Sequence, residues 1–189
     1  MEVKVVLGLA AVGFELVSMA FYFKDIFRGR TQPHLYTFLI WVIVTSIVFA
    51  GQVVAGGGAG AWATGVTAFL QIVTLALCFK YGTKDITRVD ALFLIGALLS
   101  IIPWLMTKDP LWSVVLASTI DAFAMGPTIR KTWRAPMSES LLSWLVAEGK
   151  YVTEIPALSV YSVTTLIYPL QAVSMNAVLI IIMLLRRRN

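Results

Sequence analysis

The sequence predicts an all-α membrane protein with seven transmembrane helices, and three observations lead to this fold class. The first is composition: 59% of the 189 residues are hydrophobic, only 13% are charged, and the mean hydropathy is +0.85. A soluble domain of this size could not cover so much apolar surface, so lipid must be the main solvent. The second is segment length, which exceeds that of barrel strands. The third is the alternation of basic and non-basic loops.

Seven apolar segments of roughly 17 to 25 residues, enough to cross a bilayer, follow one another along the chain. They cover residues 3–23, 36–55, 61–80, 90–106, 110–128, 139–158 and 161–185. The first lacks a basic leader and a small-residue cleavage site, and it runs directly into charged residues. It is therefore predicted to be a transmembrane helix and not a signal peptide. The sixth is the weakest, because it contains Glu148, Lys150 and Glu154.

The loops predict how the chain is oriented. Basic residues cluster in every second loop and at the C-terminus, at Lys24, Arg28, Arg30 and His34, at Lys80, Lys84 and Arg88, at Arg130, Lys131 and Arg134, and at Arg186, Arg187 and Arg188. Positively charged loops face the cytoplasm, so an odd number of spans is required. We predict a multi-pass protein of the cell (inner) membrane with the N-terminus outside and the C-terminus cytoplasmic.

Several functions are disfavoured by the sequence. The one cysteine, Cys78, lies in an apolar segment, so neither an intramolecular disulfide nor a cysteine metal cluster is expected. The net charge of +5 resides in short loops and indicates membrane orientation, so no nucleic-acid partner is expected. The only histidine, His34, is in a loop, and no nucleophile elbow or phosphate-binding loop is present. No enzyme activity, cofactor or metal is predicted.

An internal repeat relates the two halves of the chain. The first copy reads Phe27-Arg28-Gly29-Arg30 with Pro33 and Trp41, and the second reads Trp133-Arg134-Ala135 with Pro136 and Trp144. In both, the tryptophan follows the proline by eight residues. With three extra residues in the first loop, the preceding helices also align, and Glu15 falls on Asp121. The repeat predicts two three-helix bundles joined by a linker helix, at 1–82, 83–108 and 109–189.

These residues resemble a known group. The run 126–133, followed by Pro136 and Trp144, and the later Tyr168-Pro169 with Asn176, resemble the PQ-loop superfamily, which includes the SWEET and SemiSWEET sugar transporters and lysosomal amino acid carriers. The resemblance covers nearly the whole chain and implies a transporter of a small polar solute. It also implies that Pro127 is a hinge. The equivalent position in the first repeat is Phe21, which puts a symmetric rocking motion in doubt.

In such a fold the solute would bind between the repeats, near the midplane of the bilayer. The third helix carries a polar stripe that includes Thr67 and Gln71, although small hydroxyls also serve helix packing. On the seventh helix Pro169 frees a backbone carbonyl and is a second hinge candidate, and Asn176 resembles the sugar-binding asparagine of the SWEET group. The alternative role of Asn176 is an interhelical hydrogen bond.

The aromatic and charged residues also have two readings each. Trp41 and Trp144 are predicted to contact solute, or else to anchor the helices at the membrane interface. Buried charges are costly, so Glu15, Asp121 and Glu148 are candidates for proton coupling. Lys150 is predicted to be a buried cation in a structural network with Glu154 or with a carboxylate of a neighbouring helix.

The sequence is compatible with three functions. The first is a transporter that moves a sugar-like or amino-acid-like solute by alternating access, with proton coupling as an additional hypothesis. The second is a seven-helix sensor in which Lys150 holds a chromophore as a Schiff base. The third is a structural protein whose polar stripes only join helices. The expected partners are the lipid bilayer and a small-molecule solute, and an oligomer is allowed but not required.

Overall fold

The chain is α-helical throughout the part that the structure, a computed structural model, describes: residues 2–82 and 88–187, with no β-strand among them. These residues form α1 (Glu2–Phe27), α2 (Leu35–Val54), α3 (Ala61–Tyr81), α4 (Arg88–Leu99), α5 (Ile102–Thr107), α6 (Leu111–Arg134), α7 (Leu141–Ala157) and α8 (Val163–Arg186). Short 3-10 turns at Gly58–Gly60 and Pro136–Ser138 precede α3 and α7. The all-α prediction is confirmed. Lys84 and Arg188 lie outside the described residues.

The segment predicted as one helix at 90–106 forms two helices, α4 and α5, so the described chain contains eight α-helices and not seven. Pro103 lies in the first turn of α5, and proline has no N–H with which to continue a preceding helix. Ser100 follows the last residue of α4; its amide still donates to the carbonyl of Gly96 at 3.0 Å, and its hydroxyl donates to the carbonyl of Ala97 at 2.7 Å. The amide of Trp104 donates to Ser113 Oγ of α6 instead of a carbonyl of α4.

Four helices of the described chain are long and apolar enough to cross a membrane, judged by length and composition. They span Glu2–Phe27, Leu35–Val54, Gly58–Tyr81 and Val163–Arg186, and shorter apolar helical stretches occupy Leu94–Thr107 and Leu111–Gly126. Large apolar side chains are exposed along them, for example Phe69 and Phe79 of α3, which are 64% and 69% exposed. Continuous apolar surface of this kind is consistent with a membrane protein.

The helices pack in a pattern that is preserved when α1, α2 and α3 are exchanged for α6, α7 and α8. Helix α1 packs against α7 as α6 packs against α2, and each third helix packs against the first two of its own group. We call the two contacts between the groups the α1/α7 seam and the α2/α6 seam. Helix α4 packs against α2 and α6, and α5 packs against α6.

The two ends of this bundle differ in composition. At one end, which we call the basic end, four helices finish (α1, α3, α6 and α8) and two begin (α2 and α7). Arg187 donates there to the carbonyls of Pro136 and Glu139. The side chain of His34 accepts from the amide of Thr37 and caps α2. At the other end, the glycine end, are the α2–α3 turn with Gly57 and Gly58–Gly60 and the α7–α8 turn at 158–162.

Candidate functional site

A cavity of about 460 Å³ lies among α1, α2, α3, α6, α7 and α8. It reaches the basic end, where Gln32, Arg134 and Ala135 line it and are exposed. In the opposite direction its lining ends with Glu15 of α1, Thr67 of α3 and residues of α7 and α8 at the same level. The described residues of the glycine end do not line it. The cavity is thus open at one end of the bundle and closed at the other.

Most of the side chains predicted for the site meet in this cavity. Its lining includes all five solute-binding candidates and two of the three proton-coupling candidates, namely Trp41, Thr67, Gln71, Trp144, Asn176, Glu15 and Asp121. Glu148 and Lys150 do not line it, and neither does Pro169, which is buried in α8. The backbone is helical through Pro127, whose side chain lies outside the described part of the structure. The roles of these residues remain predictions.

Two polar pairs occupy matching places in the two halves. In the first, Thr45, one turn beyond Trp41 on α2, donates to Gln71 Oε1 of α3 at 2.6 Å. In the second, Glu148, one turn beyond Trp144 on α7, neighbours Asn176 on α8, and its Oε2 is buried without a hydrogen-bond partner among the described residues. The hydrogen bond from Thr45 fixes the Gln71 amide, and the amides of both Gln71 and Asn176 are buried.

The two carboxylates that the repeat aligns have different partners. Glu15 is 4% exposed, and its Oε2 lies 3.7 Å from Lys150 Nζ across the α1/α7 seam. Asp121 is 7% exposed, and its Oδ2 accepts a hydrogen bond of 3.1 Å from Gln171 Nε2 of α8. Among the described residues, no cation forms an ion pair with Asp121. One carboxylate is thus neutralised by the protein and the other is not.

Lys150 is the centre of a buried polar network beyond the closed end of the cavity. Its ammonium donates to Thr67 Oγ1 at 2.7 Å, lies 4.0 Å from Glu154 Oε2 and stands 4.0 Å from the ring centroid of Tyr151. Glu154 Oε1 in turn accepts from Thr64 of α3 at 2.7 Å and from Gln52 of α2 at 3.3 Å. The network joins α1, α2, α3 and α7. Both structural alternatives predicted for Lys150, a partner one turn away and a partner on another helix, occur together.

Contacts at the glycine end close the bundle on that side. Lys4 Nζ donates to the carbonyl of Leu158 at 2.6 Å, and the amide of Ser159 donates to the carbonyl of Gly57 at 2.9 Å. A Cβ at Gly60 would lie 2.7 Å from the backbone nitrogen of Leu158, so only glycine permits this approach of the two turns. The closure depends on backbone contacts between the two halves.

Aromatic rings line much of the cavity. They belong to Tyr22, Phe38, Trp41, Trp144, Tyr151 and Tyr168. Trp144 Nε1 donates to Glu139 Oε2 at 3.2 Å, whereas Trp41 Nε1 is buried and has no hydrogen-bond partner among the described residues. Both tryptophans therefore contribute to the cavity wall, as the first of their two predicted roles requires. An indole N–H without a partner is available to a solute oxygen.

Gln171 and Tyr22 are among the lining residues that were not predicted. Gln171 lines the cavity and is the hydrogen-bond donor to Asp121, but it lies outside the narrow face that contains Ala172 and Asn176. A wider helical face, running from Tyr168 through Gln171 to Met175, would have included it. Tyr22 also lines the cavity. It follows Phe21 in an apolar stretch of α1, where no polar pattern marked it as a site residue.

Comparison with known proteins does not identify a family. No protein-family model, curated protein or solved structure matches the chain. The residues of the site define the chemistry that it allows. They offer amide and indole groups that bind polar solutes, aromatic faces that bind apolar or cationic surfaces, and the carboxylate of Asp121, which has no ion pair among the described residues.

Proposed function

We propose that this protein is a multi-pass transporter of the cell (inner) membrane that moves a small polar solute by alternating access. The observation that carries the proposal is a cavity with one open end, lined by polar and aromatic side chains from six helices. Its volume of about 460 Å³ falls within the range of about 300–1,000 Å³ that is typical of small-molecule sites. A space open on one side only matches one half of an alternating-access cycle.

We further propose that α1–α3 and α6–α8 are two repeats, with α4 and α5 as the linker. The exchange symmetry of the helix contacts supports this arrangement. The matched pairs Thr45 with Gln71 and Glu148 with Asn176 support it as well. The linker then crosses the bilayer as α4 and α5 together, which gives seven crossings in total. Three helices end on the opposite side of the membrane from where they begin. The linker between two parallel repeats must therefore cross the membrane an odd number of times.

The orientation that we propose places the basic end in the cytoplasm, because positively charged loops remain on that side. The cavity is then open to the cytoplasm, and the glycine end closes it toward the outside. Transport requires the contacts of Lys4 with Leu158 and of Ser159 with Gly57 to separate while the basic end closes. The resemblance to the PQ-loop superfamily supports the same mechanism, with Pro127 and Pro169 as hinges.

The test is uptake by liposomes that contain the purified protein. Labelled sugars, amino acids and amines are screened with and without a pH gradient, and the same solutes are screened for thermal stabilisation in detergent. We expect at least one class to stabilise the protein and to accumulate. Asn176→Ala and Gln71→Ala should then remove most of the uptake, because each removes an amide from the cavity wall.

The matched control is Ser174→Ala on the same helix as Asn176. Ser174 is exposed and its hydroxyl bonds only within α8, to the carbonyl of Leu170, so uptake should be unchanged. If no solute class stabilises the protein or crosses the membrane, the transport proposal fails. Loss of stability in Asn176→Ala with flux untouched would instead assign Asn176 a role in joining helices.

The geometry gives no support to the alternative of a sensor with a chromophore on Lys150. Lys150 does not line the cavity, and its ammonium contacts Thr67, Glu15 and Glu154. A Schiff base would require a ligand aldehyde beside an amine that is only 1% exposed. The appearance of a visible absorption band on addition of retinal would reverse this assessment.

A further inference from the structure

Asp121 is a cavity carboxylate that has no cation within ion-pairing distance among the described residues. Asp121 lines the cavity and is 7% exposed, and its hydrogen-bond partner is the uncharged amide of Gln171. Glu15, by contrast, already has Lys150 as its counter-ion. A carboxylate that is shielded from water requires a cation, a proton or several hydrogen bonds. Asp121 has one hydrogen bond, which leaves a negative charge to be balanced.

The groups around Asp121 do not provide that balance. Tyr168 of α8 and both Tyr151 and Lys150 of α7 interact electrostatically with Asp121. The other titratable side chains that line the same cavity are Glu15, Tyr22, His34, Arg134 and Glu139. Helices α2 and α5 contain no Asp, Glu, Lys, Arg or His, and α4 has them only in its first turn. On α6 itself the next basic residue, Arg130, is nine positions on, about 13 Å along the axis. The charge of Lys150 reaches Asp121, but Lys150 is held by two other carboxylates.

The wall around this carboxylate is aromatic. Tyr151 and Tyr168, which line the cavity together with Asp121, form an edge-to-face pair with centroids 6.2 Å apart. Phe38 and Trp41 form a second such pair at 5.2 Å. Ring faces attract organic cations, and this attraction strengthens when water is excluded. The ammonium of Lys150 over the ring of Tyr151 shows that the arrangement already accommodates one cation in this way.

We propose that the transported solute is a small monovalent organic cation that binds at Asp121, and that it exchanges there with one proton. This inference rests on the proposed transport function and specifies its solute class. One carboxylate accepts either the cation or the proton, and in each case the occupied site is neutral. One proton therefore moves in one direction for each monovalent cation that moves in the other, so the exchange carries no net charge.

The experiment uses choline as the probe and 3,3-dimethylbutan-1-ol, its neutral carbon analogue, as the comparison. Because choline cannot release a proton, its uptake is not confused with the diffusion of a neutral amine. We expect choline chloride, substituted for sodium chloride at constant ionic strength, to stabilise the wild-type protein, while the neutral analogue does not. In liposomes, a pH gradient should drive choline uptake, and collapsing the membrane potential should not change its rate.

Asp121→Asn should weaken choline binding by about tenfold or more and abolish pH-driven uptake, whereas Asp121→Glu should retain both in part. Asp109→Asn is the control, since Asp109 is exposed in the α5–α6 turn. If both Asp121 variants fail to fold, the comparison of choline with its neutral analogue on the wild-type protein still tests whether the solute must be a cation. Equal stabilisation by the two probes, or uptake of neutral sugars but not of choline, overturns this inference and leaves the transport function standing. No uptake of any solute overturns both.

Discussion

The α1/α7 and α2/α6 seams are related by the repeat, yet they are built from different chemistry. The spacing that aligns Trp41 with Trp144 also aligns Ile47 with Lys150 and Ile40 with Ser143. The α1/α7 seam contains the Glu15 to Lys150 ion pair and two reciprocal hydrogen bonds between Ser18 and Ser143, of 3.0 and 3.1 Å. The α2/α6 seam instead packs apolar residues, namely Ile40, Val44, Ile47 and Val48 against Val114, Ala117 and Ala124.

This difference separates the roles of two carboxylates that occupy equivalent positions. Glu15 faces a lysine and is part of the structure of its seam. In the α2/α6 seam, which Asp121 faces, Ile47 occupies the position that Lys150 has in the other seam. The charge of Asp121 can therefore be balanced by a proton or a solute. A duplication can thus preserve a carboxylate in both halves while one half provides its counter-ion and the other does not.

The largest effect is expected from Lys150→Met. It leaves Glu15 and Glu154 as two buried carboxylates without their shared cation, which should lower the free energy of unfolding by about 3–5 kcal/mol. Denaturant unfolding in detergent, followed by circular dichroism, measures it. Lys24→Met, at an exposed position of α1, should change stability by less than about 0.5 kcal/mol. A similar loss in both variants would show that the ion pairs of Lys150 contribute little.

A double-mutant cycle compares the two carboxylates directly. Glu15→Gln combined with Lys150→Met should show a coupling energy of about 0.5–3 kcal/mol, because the second change relieves the unpaired charge left by the first. The matched cycle of Asp121→Asn with Lys150→Met should show a smaller coupling energy, because Lys150 acts on Asp121 from beyond ion-pairing distance. Equal coupling in the two cycles would remove the distinction between the carboxylates.

Glycine substitutions compare the packing of the two seams. A Cβ at Gly51 of α2 would collide with the buried side chain of Val114 on α6, so Gly51→Ala should cost about 1–3 kcal/mol. A Cβ at Gly149 of α7 would meet only the ring of Phe14, at 3.0 Å, and that ring is 39% exposed and able to move. Gly149→Ala should cost less than about 1 kcal/mol. The same unfolding assay measures both, and a reversed order would contradict the apolar, tightly packed α2/α6 seam.

The smallest effect on stability is expected from Asp121→Asn. Asparagine keeps an oxygen that accepts from Gln171 Nε2, and the change removes a charge with no ion-pair partner in the described structure. The free energy of unfolding should shift by less than about 1 kcal/mol, while solute uptake is lost. Melting temperature and liposome flux, recorded on one preparation, separate the two outcomes. A variant that unfolds but retains flux per folded molecule would assign Asp121 a structural role.

Much of the fold could be predicted because apolar length and loop composition are local properties. The helices at α1, α2, α3 and α8 begin and end within a few residues of the predicted segments. The division of α4 from α5 was missed, since a proline inside an apolar run can be accommodated or can end a helix. The amide of Trp104 donates to Ser113 of α6, a contact that depends on tertiary packing.

The apolar helices, the duplicated Pro and Trp motif and several of the residues that line the cavity could be predicted from periodicity and spacing. Which carboxylate has a counter-ion could not be predicted in this way, because it depends on how the helices pack. Glu15 and Asp121 look alike in sequence, and Lys150 is far from both along the chain. The packing of α7 against α1 brings Lys150 within 3.7 Å of Glu15, while α6 packs against a helix with no cation. The strength of an ion pair depends on the distance between the two charges, and the residue pattern of one helix does not specify its distance from a charge on another helix.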